Sequence, residues 1–387
     1  MALSIPSPFS LGLLCPPRIP SFVYSKSQRN LPTGYVPAHA FFSSGTRKWP
    51  RKEEHSLRSK ASMENSAKDL KEANEISRAI LIWRAVKLPI YSVALVPLTV
   101  GSAAAYLQSG GFLFGRYLLL LSSSILIILW LNLSNDVYDF DTGADQNKKE
   151  SVVNLVGSRA VTHYAANLSL ALGFMGLVWA SAEAGDIQPF LLLISAVLCG
   201  YVYQCPPFRL SYKGLGEPLC FAAFGPFATT AFYMSQRTKS KLVHLPLNAT
   251  VLSASLLVGL TTSLILFCSH FHQVEEDRAV GKMSPLVRLG TETASKLVKV
   301  AVVILYSLLV VLGLCRALPW TCIVLCALTF PIGKLVVDYV KEHHKEKGKI
   351  FMAKYYCVRL HTSFGAALAA GLAAARIVVK TKTVWGT

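Results

Sequence analysis

Charge is scarce in this chain. Of its 387 residues only 16% are charged and 52% are hydrophobic, where a soluble domain carries about 25% charged residues. The mean hydropathy is +0.43. An ordinary soluble enzyme and a disordered protein both fit that balance poorly. The nine cysteines include no Cys-x-x-Cys pair and no Cys/His ligand spacing, which argues against a disulfide framework and a structural zinc site. Acidic residues are missing altogether from positions 1–52. That stretch holds eight serines, eight of the nineteen prolines, and Arg18, Lys26, Arg29, Arg47, Lys48, Arg51 and Lys52. A Ser-rich, acid-free basic leader is similar to an organelle transit peptide, more plastid-like than mitochondrial. The alternative is a basic tail that stays on the protein. The expected organisation is a leader over 1–60, a mixed-charge polar lead-in over 61–80, and a membrane domain over 81–387.

What is abundant is long apolar sequence. Runs of the length a membrane span needs, about 20 residues, lie near 86–107, 114–134, 161–182, 188–204, 217–236, 247–269, 293–313, 317–338 and 358–378. One such run could be a buried core helix, but nine in succession leave too little polar sequence to cover them. The expected fold is all-α: a polytopic membrane protein with nine transmembrane helices. The net charge of +18 then reads as membrane topology rather than nucleic-acid binding, because the cations sit between the apolar blocks. From residue 71 onward, twenty Lys and Arg fall on one expected side. Eight fall on the other: Arg116, Arg237, Lys239, Lys241, Arg316, Arg376, Lys380 and Lys382. In a plastid the richer side would face the stroma.

Two acidic clusters fall on that richer side. The first runs from Asn132 to Ser151 and contains Asp136, Asp139, Asp141, Asp145 and Glu150. Asn132, Asp136 and Asp139 are spaced i, i+4, i+7, which predicts one shared helical face, and Gly143 predicts the end of that helix. Four aspartates at the bilayer centre would cost on the order of 10 kcal/mol on insertion scales, so they belong at a helix end facing a wet cavity. A solvated loop is the plain alternative. Carboxylates at this density, with few cations beside them, suit a divalent metal. The second cluster, from Cys268 to Lys282, places Gln273 and Asp277 four apart, with Glu276 beside them and Arg278 and Lys282 repeating the step; its plain alternative is a salt-bridged helix end. Two carboxylate clusters opening on one cavity suggest a diphosphate held through Mg2+, since the ion bridges groups that otherwise repel. Among membrane helices the other half of such a substrate is a hydrocarbon, which points to a prenyl diphosphate. A third polar segment, 201–217, offers Arg209 and Lys213 to phosphate oxygens, alongside Arg159 and Lys282. It also offers the rings of Tyr203, Phe208 and Tyr212 to a cation; an interface belt would use the same rings.

The run NDVYDFDTGAD at 135–145, followed by DRAVGKMSPLVRLGT at 277–291, resembles the UbiA superfamily of intramembrane prenyltransferases. The resemblance covers about residues 80–380. It is closest to the naphthoate-prenylating branch, through Thr142-Gly143 with Asp145 beyond, Lys213-Gly-Leu-Gly-Glu217, and Gly281-Lys282 leading to Arg288-Leu-Gly290. The Lys-x-Asn-Lys-Pro segment of the homogentisate branch does not occur. The resemblance implies nine helices around a central cavity and transfer of a phytyl group from its diphosphate to 1,4-dihydroxy-2-naphthoate, with loss of CO2. It puts Asp136 and Asp139 on Mg2+ and diphosphate with Asn135 alongside, Asp145 at the more distant acidic position, and Asp277 in the second motif. Gln273 stands where the family has a second aspartate, with Glu276 as its substitute. Another acceptor, such as homogentisate, 4-hydroxybenzoate or chlorophyllide, would fit the same motifs. A cation-coupled transporter is the alternative of a different class, disfavoured because the acids cluster at helix ends rather than mid-membrane.

Overall fold

The computed structural model describes residues 88–143, 151–236 and 247–385. The expected leader, the lead-in, and Asp145 and Glu150 lie outside the described residues. Within these the chain is helical, with no strand among the described residues. A 3₁₀ turn at Leu88–Tyr91 leads into α1 (Ser92–Ser109) and then α2 (Phe114–Thr142). A short α3 (Val152–Val156) precedes α4 (Arg159–Ala184) and α5 (Gln188–Gln204). After a 3₁₀ turn at Leu210–Lys213, α6 (Gly216–Ala222) passes through a π-helical segment, Ala223–Thr229, into α7 (Thr230–Ser235). Then come α8 (Ala249–Ser269), a 3₁₀ turn at His270–Gln273, α9 (Val274–Ala279) and α10 (Pro285–Leu314). The last elements are α11 (Trp320–Ala327), α12 (Phe330–His343), α13 (Lys347–Ile350) and α14 (Ala353–Trp385).

Local sequence sets the helix ends. Gly143 adopts φ 87° and caps α2 through its N–H to the Phe140 carbonyl at 3.1 Å. Ser158 and Asn248 accept from the backbone N–H three residues on, at Val161 and Val251, and start α4 and α8 as N-caps do. The π segment carries Pro226. Proline has no N–H to donate and its ring crowds the preceding turn, so the ladder widens there.

Among the described residues the apolar runs found in the sequence lie largely on helix. Five stretches are long and apolar enough to cross a membrane: Phe114–Thr142, Arg159–Ala184, Ala249–Ala279, Pro285–Leu314 and Lys347–Val378. A sixth crossing is supplied if α11 and α12, bent by 46°, count as one span. The nine spans expected from hydropathy are thus a sequence count that helix length supports for five or six. Large apolar side chains such as Leu168, Trp179, Val303, Leu314 and Trp320 stay exposed, as expected where lipid tails replace water.

Buried side chains form two cores. One joins α1, α8, α10, α11, α12 and α14 around residues such as Val100, Leu257, Leu305, Phe364 and Leu368. The other joins α1, α2, α4, α5 and α7 around Leu98, Leu120, Trp130, Leu177 and Phe232. The close approach of α1 to α7 depends on Gly101. A Cβ there would lie 2.5 Å from the Thr229 carbonyl oxygen and 2.9 Å from the Tyr233 nitrogen, both backbone atoms. We expect Gly101→Ala to destabilise the protein by about 1–3 kcal/mol, read as a lower melting temperature in detergent. Gly115→Ala, with nothing within 4 Å, should leave it unchanged.

Candidate functional site

A cavity of about 310 Å³ lies between the helices, lined by α1, α2, α5, α6, the π segment, α8 and the start of α14. Most of its wall is apolar, including Ile128, Leu131, Val197, Phe224 and Ile265. Its polar residues come from the ends of elements. Asn132, Asn135 and Asp139 come from α2, and Tyr203 and Gln204 from α5. His270, His272 and Gln273 come from the 3₁₀ turn after α8, and Lys282 from the loop before α10.

The two acidic clusters meet through Lys282. Helix α9 ends at Ala279, and Gly281 turns the chain at φ 73°. The Lys282 N–H then returns to the Asp277 carbonyl at 2.8 Å, while the Gly281 N–H reaches Arg278 at 3.2 Å. This is the 6→1 closure of a Schellman cap, for which glycine supplies the left-handed residue. The cap brings Lys282 Nζ to 3.3 Å from Asp277 Oδ1, with both side chains buried. Burial alone would lower the Lys282 ammonium. The Asp139 carboxylate, with Tyr203, Asp277 and Tyr212 around it, more than offsets that and holds the group above the usual lysine range. One ammonium therefore lies in the field of an aspartate from each cluster.

The 201–217 segment closes the third side. Tyr212 donates to Asp139 Oδ1 at 3.2 Å and shares a 2.8 Å hydrogen bond with the Thr142 hydroxyl. Lys282 Nζ lies 5.7 Å from the Tyr212 ring centroid. The Met283 N–H donates to the Tyr212 carbonyl at 2.9 Å and ties the two loops together. Asn135 Nδ2 donates to Asp139 Oδ2 at 2.8 Å. Tyr203 reaches the wall because Gly216 has no side chain: a Cβ there would sit 2.9 Å from its ring.

An amphiphile with an anionic head fits this enclosure of carboxylates, an ammonium and phenols at one part of an apolar cavity. A profile of the UbiA prenyltransferase family matches residues 94–358. The chain belongs to the UbiA prenyltransferase family. The 2-carboxy-1,4-naphthoquinone phytyltransferase of Arabidopsis thaliana chloroplasts is 70% identical over 302 residues, covering 78% of this chain and 79% of that protein. The 2-carboxy-1,4-naphthoquinone phytyltransferase of Synechocystis is 42% identical over 291 residues, covering 75% of this chain and 92% of its own. The apo structure of a UbiA homolog from Aeropyrum pernix superposes at a TM-score of 0.51 with 15% identity, covering 76% of this chain and 98% of that one; the likeness is one of fold.

The site residues expected from the sequence fall in different places in the structure. Asn132, Asn135 and Asp139 share the cavity face, spaced i, i+3, i+7, whereas Asp136 is turned off it. Asp136 is fully buried, and its Oδ2 accepts the Val152 N–H at 3.0 Å. The chain returning after α2 approaches that side of the helix. Lys282 does not continue a helical step from Arg278, because Gly281 ends the helix between them; Arg278 is exposed. Glu276 pairs with Lys347 on the outside. Arg159 forms a two-pronged pair with Asp141, at 2.9 and 2.6 Å, partly in solvent. Lys213 is exposed, and its carbonyl accepts from Arg288 at 2.8 Å. Arg209 lies 5.9 Å from the Tyr212 ring, with a buried Nε that has no hydrogen-bond partner. Phe208 is exposed. None of Asp136, Arg159, Phe208, Arg209, Tyr212, Lys213, Glu276, Asp277 or Arg278 lines the cavity itself, though Tyr212 and Asp277 contact Asp139 and Lys282, which do.

Other wall residues escaped the sequence reading. His270 is buried and its Nδ1 lies 3.2 Å from Glu217 Oε1. Glu217 closes the Lys-Gly-Leu-Gly-Glu run, which was the available signal. Phe351, Lys354 and Tyr355 also line the cavity; they come from the far end of the sequence and carry no acidic motif.

Removing one member of the buried Lys282–Asp277 pair should strand the other charge. We expect Lys282→Met to cost about 3–5 kcal/mol, measured by denaturation in detergent. The double variant Lys282→Met/Asp277→Asn should recover much of that loss without recovering turnover.

Proposed function

We propose that this chain transfers a phytyl group from its diphosphate to 1,4-dihydroxy-2-naphthoate, releasing diphosphate and CO2, in phylloquinone (vitamin K1) synthesis at a plastid membrane. The observation that carries the reading is Asp139 and Lys282 on the wall of an apolar cavity, with the buried Asp277 3.3 Å from the Lys282 ammonium. The acceptor, the phytyl chain and the plastid location are supported by the names of the Arabidopsis and Synechocystis relatives. The acid-free, basic composition of residues 1–52 supports the location further.

Among the described residues no three His, Cys, Asp or Glu side chains converge into a ready-made metal cage. Mg2+ does not need one, since it binds through one or two carboxylates plus phosphate oxygens and water. Asp139 on the cavity wall and the buried Asp277, whose Oδ2 has no hydrogen-bond partner, fit that donor set. These two would hold the ion, with Asp145 as a further ligand from outside the described residues. Bound there, Mg2+ supplies charge neutralisation for the departing diphosphate.

The chain's own residues account for the rest. Lys282 donates to diphosphate oxygens. Asn132, whose Nδ2 is buried without a partner, and Gln273 are further donors on the wall. The allylic C1–O bond breaks and its electron pair leaves with the diphosphate. The Tyr203 ring faces the cation that forms. The carboxyl-bearing ring carbon of the naphthoate attacks C1. Loss of CO2 then returns the bonding electrons to the ring. The apolar wall keeps out water that would quench the cation.

Purified protein in lipid nanodiscs, given phytyl diphosphate and a panel of acceptors, tests this. Prenylated naphthoate and Mg2+-dependent diphosphate release are expected; prenylation of homogentisate with dihydroxynaphthoate left untouched would overturn the acceptor. Asp139→Asn should lower kcat/KM about 100-fold or more while the protein still accumulates in membranes. Gln273→Asp adds a carboxylate beside the site and should lower the Mg2+ concentration giving half-maximal rate; an unchanged value would place Gln273 away from the ion.

A further inference from the structure

A phenol attacks carbon fastest when a neighbouring group takes its proton as the bond forms. Asp139 and Lys282 belong to the diphosphate end, and the mechanism above leaves His270 without a task. His270 opens the 3₁₀ turn His270–Gln273. Residues three apart eclipse in such a turn, which sets His270 and Gln273 on one face, and both line the cavity. Phe271 between them is buried in the core. His270 Nδ1 lies 3.2 Å from Glu217 Oε1. A carboxylate accepts and does not donate, so this contact holds a proton on Nδ1 and leaves Nε2 as the acceptor of the neutral ring. Glu217 is itself held in place: it stands in the first turn of α6, and its carbonyl accepts from the Ser263 hydroxyl of α8 at 3.2 Å. Glu217 Oε2 is buried with no hydrogen-bond partner. A buried carboxylate with an unused oxygen favours positive charge on the ring it touches.

We propose that His270 is the general base and acid for the acceptor, oriented and charge-paired by Glu217. This rests on the acceptor class proposed above and names the group that handles its proton. As the carboxyl-bearing ring carbon forms its bond to C1, the adjacent 1-hydroxyl becomes a carbonyl and its proton passes to His270 Nε2. The imidazolium so formed is paired with Glu217. The other product of that step is a β-keto carboxylate. Its C–CO2 bond breaks, the electron pair returns to the ring through the carbonyl, and the 1-oxygen takes the proton back from Nε2. One proton moves out and back, His270 is regenerated, and no co-reactant is needed. The 4-hydroxyl lies meta to the attacked carbon and does not share in the transfer.

The full chain in nanodiscs, supplied with phytyl diphosphate and Mg2+, tests this with three acceptors: 1,4-dihydroxy-2-naphthoate, its 1-methyl ether and its 4-methyl ether. His270→Gln keeps a polar side chain of similar size but no base. It should lower kcat about 100-fold or more on the dihydroxy acid and on the 4-ether. The 1-ether has no proton to give, and its slow turnover should stay at the wild-type rate. Glu217→Gln still accepts from Nδ1 but carries no charge; it should lower kcat on the first two acceptors by about tenfold or more. Both variants should bind geranyl thiodiphosphate with Mg2+, and 1-hydroxy-2-naphthoate, as wild type does, which shows that they are folded and that the loss is chemical. An unchanged kcat in His270→Gln, or an equal loss on all three acceptors, would overturn the assignment of His270 alone. Weaker naphthoate binding large enough to account for the loss would also overturn it and make His270 a binding residue. Wild type that prenylates none of the three naphthoates would overturn the assignment together with the acceptor class it rests on.

Discussion

A single buried ammonium sets the electrostatics of this protein. Asp139 and Asp277 come from helices far apart in sequence and are both buried. Two carboxylates at 4 Å repel by about 4 kcal/mol at an effective dielectric near 20, and each also loses hydration on burial. Lys282 offsets both costs, and its raised pKa expresses the same coupling from the lysine's side. Its position is specified by backbone, not by side-chain flexibility. The Schellman cap at Gly281 fixes it over Asp277, and the Met283–Tyr212 bond fixes the loop against the turn that carries Tyr212. Tyr212 then reaches Asp139. The cap, the turn and the end of α2 therefore form one linked unit.

That unit is placed where helices end. In lipid every backbone group has to be satisfied within the protein, so irregular chain is confined to termini or to walls of a cavity. The 3₁₀ turns at 210–213 and 270–273, the Gly143 cap and the Gly281 turn all lie at such ends. The π segment at 223–229 is the exception within a helical stretch, and it too lines the cavity, through Ala223, Phe224 and Ala228. Polar chemistry and irregular backbone coincide because both depend on the same shelter from lipid.

Much of this was legible in the sequence, and the reasons for the differences are specific. Hydropathy located the helical runs because apolar length is what a bilayer selects. One aspartate of each acidic motif, Asp139 and Asp277, lies near Lys282 because helix-end carboxylates have few other places to go. Spacing could not choose between the i+3 and i+4 neighbours of Asn132. The choice fell on Asn135 because the returning chain at Ser151–Val152 takes Asp136 for itself. Counting by fours carried Lys282 onto a helix that Gly281 had already ended. Arg159 was read from its charge and Glu276 from its place beside Gln273 and Asp277, and in space they pair with Asp141 and Lys347. Phe351, Lys354 and Tyr355 carry no local signal, since a lysine among aromatics at a helix start reads as an interface anchor until the fold brings it to the cavity.

Charge balance explains why such a site would take its diphosphate together with a metal. Asp139 and Asp277 set two formal negative charges around the one positive charge of Lys282, so this group carries no positive charge to spare before any substrate enters. A diphosphate brings several negative charges into a mostly apolar space, where uncompensated charge is expensive. Lys282 can transfer part of its interaction from carboxylate to phosphate, but this frees a carboxylate charge as fast as it neutralises a phosphate one. Only cations arriving with the substrate restore the balance. Divalent ions shared between carboxylate and phosphate oxygens do so with the fewest particles.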